Sequence, residues 1–159
     1  MTFVVALAAI CDSKLLCAQR SYPEKLRGKW ELPGGKVREG EEPVAALVRE
    51  IKEELDWEIS PSQLNQMLPG PLPTGDWPLL KGTQMRVMLY CPREIPVLQA
   101  GNSHLSLQWS PAEKVTQLEW LEPDLPIAEA LSRLLKKQPS CVLKIDTKPA
   151  ELKAHWTQH

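Results

Sequence analysis

Apolar and polar positions follow two different periods along this chain, and the switches between them place its elements. Phe3 to Ile10 is a run rich in Val, Ala and Ile and predicts a buried strand. Asp12-Ser13-Lys14 supplies a turn, and Leu15 to Arg20 returns as a second strand in a hairpin pattern. Ser21 to Lys29 is polar, contains Pro23 and reads as a loop. Trp30-Glu31-Leu32 is short and extended, and Pro33-Gly34-Gly35 predicts a sharp turn. The period then changes to that of a helix. Val44, Leu47, Val48, Ile51 and Leu55 form one apolar face, Pro43 suits a first helical position, and Glu41 and Glu42 complement the positive end of the dipole. This helix should fade near Trp57.

Five prolines between residues 61 and 82 make that stretch irregular. Met85, Val87, Leu89 and Cys91 alternate with Arg86, Met88 and Tyr90 as in a strand. Another strand is predicted where Leu105, Leu107 and Trp109 alternate with His104, Ser106 and Gln108. Ser110-Pro111-Ala112-Glu113 has the spacing of a capping box that opens a short helix. Asp124-Leu125-Pro126 opens a last amphipathic helix through Ile127, Leu131, Leu134 and Leu135. Residues 1–137 therefore read as one domain. Residues 138–159 are an extension that either adds a strand (Cys141 to Ile145) or forms a tail.

Composition narrows the class. The 159 residues suit one self-sufficient core, with 43% hydrophobic and 25% charged residues. A net charge of −1 gives no long-range attraction for polymeric nucleic acid or anionic lipid, whereas a small anionic ligand needs only local positive charge. Cys11, Cys17, Cys91 and Cys141 form no CxxC pair, and zinc spacing with His104, His155 and His159 is absent. They read as small buried hydrophobes in a reducing compartment. The first apolar run lacks a preceding basic segment and is far shorter than the ~20 residues that span a bilayer. A cytoplasmic monomer or homodimer is expected.

The chemistry concentrates on the central helix. Glu50, Glu53 and Glu54 stand at i, i+3 and i+4 and fall within an arc of roughly 100°. Like charges so spaced cost a helix about 0.2–0.5 kcal/mol per pair. A hard divalent cation would relieve them, since Mg²⁺ takes oxygen ligands from carboxylates and substrate phosphates. By itself such a helix face is usually only solvated.

The surrounding pattern changes that reading. GKVREGEEPVAALVREIKEELDW, residues 35–57, resembles the Nudix signature G-x5-E-x7-R-E-U-x-E-E-x-G-U, in which U is bulky and apolar. Gly35, Glu41, Arg49, Glu50, Ile51, Glu53, Glu54 and Trp57 match it. With fixed residues each near ~7% abundance, a chance match has odds of roughly 10⁻⁵. The resemblance covers about residues 3–136. The stretches Leu15 to Arg20, Trp30 to Lys36 and Trp109 to Glu113 are similar to the MutT and CTP pyrophosphohydrolase branch. It implies an α/β fold, the α/β/α Nudix sandwich around a mixed sheet. It also implies hydrolysis of a nucleoside triphosphate, oxidised dGTP or a cytosine nucleotide, to monophosphate and pyrophosphate.

The same resemblance implies Mg²⁺, with Mn²⁺ able to substitute, held by Glu50, Glu53, Glu54 and the Gly35 carbonyl. Arg49 would link Glu41 to the helix, and Arg20 and Lys36 would contact phosphates. Asp124 matches a base-reading Asn or Asp, although it is also well placed as an N-cap. Its carboxylate could accept from the cytosine N4 amino group or from donors of guanine. Leu32, Met85 and Trp30 could wall the pocket.

Two positions depart from the family. Asp56 stands where Gly is usual, at a helix end that favours a left-handed residue, which Asp tolerates. Ser103, followed by His104, stands where relatives often carry a loop glutamate, leaving Glu53 as base, His104 as substitute, or a weakened enzyme. Two other readings stay open. Pro73 lies sixteen residues past Trp57, a spacing associated with ADP-ribose pyrophosphatases. A non-catalytic nucleotide-sensing module is the other, against which all three glutamates remain.

Overall fold

The computed structural model describes residues 3–137, so the expected strand at Cys141 to Ile145 lies outside the described residues. Its centre is β1 (Phe3–Cys11), in which Val5 to Cys11 are all buried. Alternate residues of β1 serve two cores, because successive side chains of a strand point to opposite faces. Val5, Leu7 and Ala9 join one apolar cluster, and Ala6, Ala8 and Ile10 join the other.

Around β1 the sheet is mixed. The hairpin partner β2 (Lys14–Arg20) is antiparallel, β3 (Trp30–Glu31) pairs with β2, and β4 (Gly34–Lys36) pairs with β1. The helix α1 (Pro43–Leu55) follows, then β5 (Gln66–Met67) and β6 (Trp77–Pro78), both against β7 (Gln84–Tyr90). Strand β7 runs parallel to β1, with Phe3 opposite Gln84 and Ala9 opposite Tyr90. Strand β8 (His104–Pro111) pairs with β2, followed by α2 (Ala112–Val115) and α3 (Leu125–Lys137). Among the described residues eight strands form the sheet, in the order β3-β2-β1-β7-β5 with the others paired onto it.

The helices cover both faces. Ala46, Leu47, Ile51 and Leu55 of α1 are buried in the cluster with Val5 and Leu7. Ile127, Leu131, Leu134 and Leu135 of α3 pack with Ala6, Val87 and Val115 on the other side. Each buried Leu or Ile contributes about 1.5–3 kcal/mol, so the apolar stripe predicted for each helix is what fastens it to the sheet. Among the described residues no helix is long and apolar enough to cross a membrane.

Several local expectations change. Pro33-Gly34-Gly35 makes no sharp turn, since Gly34 and Gly35 begin β4. Glycine serves here because a Cβ on Gly34 would lie 2.1 Å from the Val5 carbonyl oxygen, so the need is close approach rather than a special φ. The capping box at Ser110 does not form. Ser110 is buried at the end of β8, where its hydroxyl accepts from Gln108, and α2 starts from Pro111 without a side-chain cap. Cys11 and Cys17 are buried free thiols, but Cys91 is disulfide-bonded, against the all-reduced reading. At Asp56 the expectation holds: it ends α1 with φ 52° and ψ 38°, and its N–H reaches the Lys52 carbonyl.

The start of β8 holds the change with most consequence. Strict alternation would bury Leu105 and expose His104, yet Leu105 is 41% exposed and His104 only 5%. Against β2, Ser106 lies opposite Gln19 but His104 lies opposite Arg20, so Leu105 is an extra residue in a bulge. A bulge re-aims the side chains beyond it, and here it turns His104 inward.

Candidate active site

A cleft of about 220 Å³ opens where β1, β3 and β4 meet the C-terminal half of α1 and the start of β8. Arg20, Leu32, Gly35, Lys36, Glu54 and Asp124 of the expected site residues line it. Glu31, Ser103 and His104 line it as well. Met85 also stands in the wall, as expected. Trp30 does not: it belongs to the core, where its backbone bridges Trp120.

Arg49 is the centre of one ionic network. Its Nε and Nη2 donate to the two oxygens of Glu41 at 2.9 and 3.0 Å, a bidentate pairing that fixes geometry as well as charge. Nη1 donates to Glu50 at 2.8 Å and Nη2 also reaches the Lys36 carbonyl at 3.1 Å. Glu41 is thus bound to α1, and the guanidinium beside it holds its carboxyl down to about 2. Glu50 lies under Gly35 so closely that a Cβ there would sit 2.3 Å from its carboxyl carbon. Any side chain at Gly35 would push the Glu50 carboxylate from this position.

The three carboxylates of α1 have different surroundings. Glu53 is half-exposed and 3.5 Å from Arg49. Glu54 is largely buried in the cleft, where burial first, then the charges of Glu31 and Glu50, push its carboxyl up to about 8, against a hydrogen bond from the Gly34 backbone. Its Oε2 has no hydrogen-bond partner. Among the described residues no group of three or more His, Cys, Asp or Glu side chains is already gathered at ligating spacing. The residues nevertheless fit a divalent cation. A buried, unpartnered carboxylate oxygen beside two further carboxylates is the electrostatic situation such an ion relieves.

Across the cleft, Arg20 Nη1 donates to Glu31 Oε1 and Arg20 Nε donates to the Tyr22 carbonyl, both at 3.0 Å. His104 Nε2 lies 3.0 Å from the other Glu31 oxygen. Register explains the grouping, since Glu31 is opposite Ala18 and His104 opposite Arg20 on the two sides of β2. Glu31 was missed in the sequence, where only its place between buried Trp30 and Leu32 hinted at it. Asp124 ends a single 3-10 turn just before α3. Its Oδ2 accepts the Leu32 N–H at 3.2 Å, and burial pushes its carboxyl up to about 7.

Residues 1–131 match the model of the NUDIX domain. The chain belongs to the Nudix family. It is a Nudix hydrolase, similar at 30% identity over 148 residues to the CTP pyrophosphohydrolase of Escherichia coli K12, with 88% of this chain and 99% of that protein covered. It is also 32% identical over 132 residues to a Mycobacterium tuberculosis protein bearing the name of an 8-oxo-dGTP diphosphatase, with 83% and 89% covered. The solution structure of the E. coli ORF135 protein superposes with a TM-score of 0.63 at 30% identity, covering 87% of this hydrolase and 95% of that chain. Nudix hydrolases act on small nucleotide substrates and generally use divalent metal ions, and the cleft of this chain carries acidic and basic groups beside an apolar wall.

Proposed function

We propose that this Nudix hydrolase is a Mg²⁺-dependent nucleoside triphosphate pyrophosphohydrolase of the MutT type. It cleaves oxidised dGTP or cytosine nucleotides to the monophosphate and pyrophosphate. The observation that carries this reading is one cleft lined both by groups suited to a phosphate chain (Glu54, Gly35, Lys36) and by a buried acid suited to a base (Asp124 beside Leu32 and Met85). The names of the two relatives agree with it.

Glu50, Glu53, Glu54 and the Gly35 carbonyl would hold the ions, Mg²⁺ or Mn²⁺. When bound, they supply Lewis-acid polarisation of the phosphate chain and a lowered pKa for the attacking water. Arg49 keeps Glu50 against Gly35 and sets the pitch of the carboxylate flank. Lys36 and Arg20, both at the cleft wall, offer positive charge to phosphate oxygens as negative charge builds on the transferring group. Glu53, half-exposed and paired with Arg49 at 3.5 Å, would orient water and accept its proton. Asp124, already fixed by the Leu32 N–H, when ionised presents its second oxygen to an exocyclic amine.

The test is a substrate panel of 8-oxo-dGTP, dCTP, CTP, 5-methyl-dCTP and ADP-ribose with Mg²⁺ and identified products. Pyrophosphate release from an oxidised-guanine or cytosine triphosphate is expected to exceed ADP-ribose cleavage by roughly tenfold or more. AMP from ADP-ribose as the leading product would overturn the reading. Pro73, whose spacing suggested that activity, is exposed and does not line the cleft. Glu53→Gln should lower turnover by about tenfold or more with the fold retained. Near-wild-type rates would remove Glu53 from the mechanism.

A further inference from the structure

Among the described residues, two buried side-chain polar atoms lack a hydrogen-bond partner: Glu54 Oε2 and His104 Nδ1. They face each other at 4.0 Å. That is too long for a hydrogen bond, and it lies within the span that two coordination bonds of about 2.0–2.1 Å to one ion can bridge. We infer that His104 is a ligand to a divalent cation shared with Glu54, so that this hydrolase has an imidazole nitrogen among its carboxylate oxygens. The inference rests on the metal-dependent reading above.

Three further observations support it. His104 Nε2 lies 3.0 Å from Glu31 Oε2, and in the neutral tautomer that donates to this carboxylate the lone pair is on Nδ1, facing Glu54. A metal-bound histidine almost always gives its second N–H to such a partner. The ring is also held in place: the bulge at Leu105 turns it inward, and the His104 backbone N–H closes a turn onto the Gly101 carbonyl. That loop is clamped at both ends of the turn. A Cβ on Gly101 would lie 2.8 Å from the Glu54 carbonyl, so glycine lets the loop rest on α1, and Ser21 donates to the carbonyls of Asn102 and Ser103. Finally, a histidine serving only to fill space would leave two buried polar atoms unsatisfied, at about 1–3 kcal/mol each.

Nitrogen donors favour the later first-row divalent ions over Mg²⁺, so the residue also predicts selectivity. The experiment uses the full chain carrying His155→Gln and His159→Gln, which leaves His104 as its one histidine. Mn²⁺ is bound in the presence of a non-hydrolysable nucleotide, and pulsed EPR is recorded on protein with ¹⁴N- or ¹⁵N-histidine. A directly coordinated nitrogen that changes with the label is expected. His104→Gln in the same chain should weaken Co²⁺ binding by about tenfold and Mg²⁺ binding by less than about twofold. Bound Mn²⁺ with no histidine nitrogen coupling overturns the inference while leaving metal-dependent hydrolysis intact. Failure of the chain to bind Mn²⁺ at all would overturn both. The spectrum of the histidine-bearing chain decides the matter even if His104→Gln does not fold.

Discussion

Two ends of the same helical surface solve the problem of crowded carboxylates in opposite ways. Around Arg49 every charge has a partner: Glu41 is gripped bidentately, Glu50 is held at 2.8 Å, and a backbone carbonyl takes a remaining guanidinium proton. One turn further on, Glu54 has a buried oxygen with nothing to bind it, beside Glu31 and a histidine nitrogen equally bare. In the first arrangement the protein itself supplies every partner. In the second, on the proposed reading, a cation would recover on binding the cost of leaving those atoms bare. A positioned framework next to an unsatisfied cluster is how a fold reserves binding energy for a ligand.

Substitutions can break this contrast in graded steps. Glu54→Gln should abolish most turnover, by about a hundredfold or more, while circular dichroism shows the fold unchanged, because the carboxylate serves the cation and not the core. An active variant would place Glu54 on the scaffold side. Glu41→Gln should be milder, with a drop in turnover of about tenfold and a lower melting temperature, because Arg49 loses its fork and Glu50 its support. The sign with pH follows from a depressed carboxyl: the advantage of wild type over Glu41→Gln is full above the ordinary value of 4.5 and is lost as pH falls towards about 2.

Asp124 sharpens the comparison from the base side. Its carboxyl is raised from 3.8 to about 7, so the folded protein holds a proton there that the unfolded chain has released. Wild type should therefore lose stability relative to Asp124→Asn as pH rises from about 4 to about 7, and no further above that. The loss is a few kcal/mol at most, at about 1.4 kcal/mol per unit of pKa. Melting curves across that range check it, and an unchanged ratio of cytosine to 8-oxo-dGTP turnover in Asp124→Asn would retire its base-reading role. The smallest effect belongs to Asp56→Gly. Relief of a left-handed residue should add up to about 1 kcal/mol by denaturant titration, offset by the lost ion pair with Lys52, with turnover unchanged.

What could be read in the chain beforehand followed from local rules. The stripe of Leu47, Ile51 and Leu55 gave α1 its length and its buried side, whereas the contact of Glu41 with Arg49, which the fold makes, was implied by the family resemblance. The errors arose where tertiary contacts override local preference. Gly34 and Gly35 look like a turn in isolation, because nothing local reveals that β1 presses against one and Glu50 against the other. Ser110 has the spacing of a cap, yet the pairing of β8 with β2 carries it past the helix start. His104 and Glu31 join the site only through a bulge and two strand pairings, none of which leaves a periodic trace.

The parallel pairing of Phe3 with Gln84 has a consequence for synthesis. The signature segment emerges from the ribosome long before β7 and β8 are available to close around it. Until then β1 lacks its parallel neighbour, His104 does not exist, and the acidic flank of α1 faces open water. Contacts so far apart in the chain form slowly. A nascent chain ending near residue 60 would therefore carry every recognisable letter of the motif and hydrolyse nothing, and competence should appear abruptly once the last strand is released.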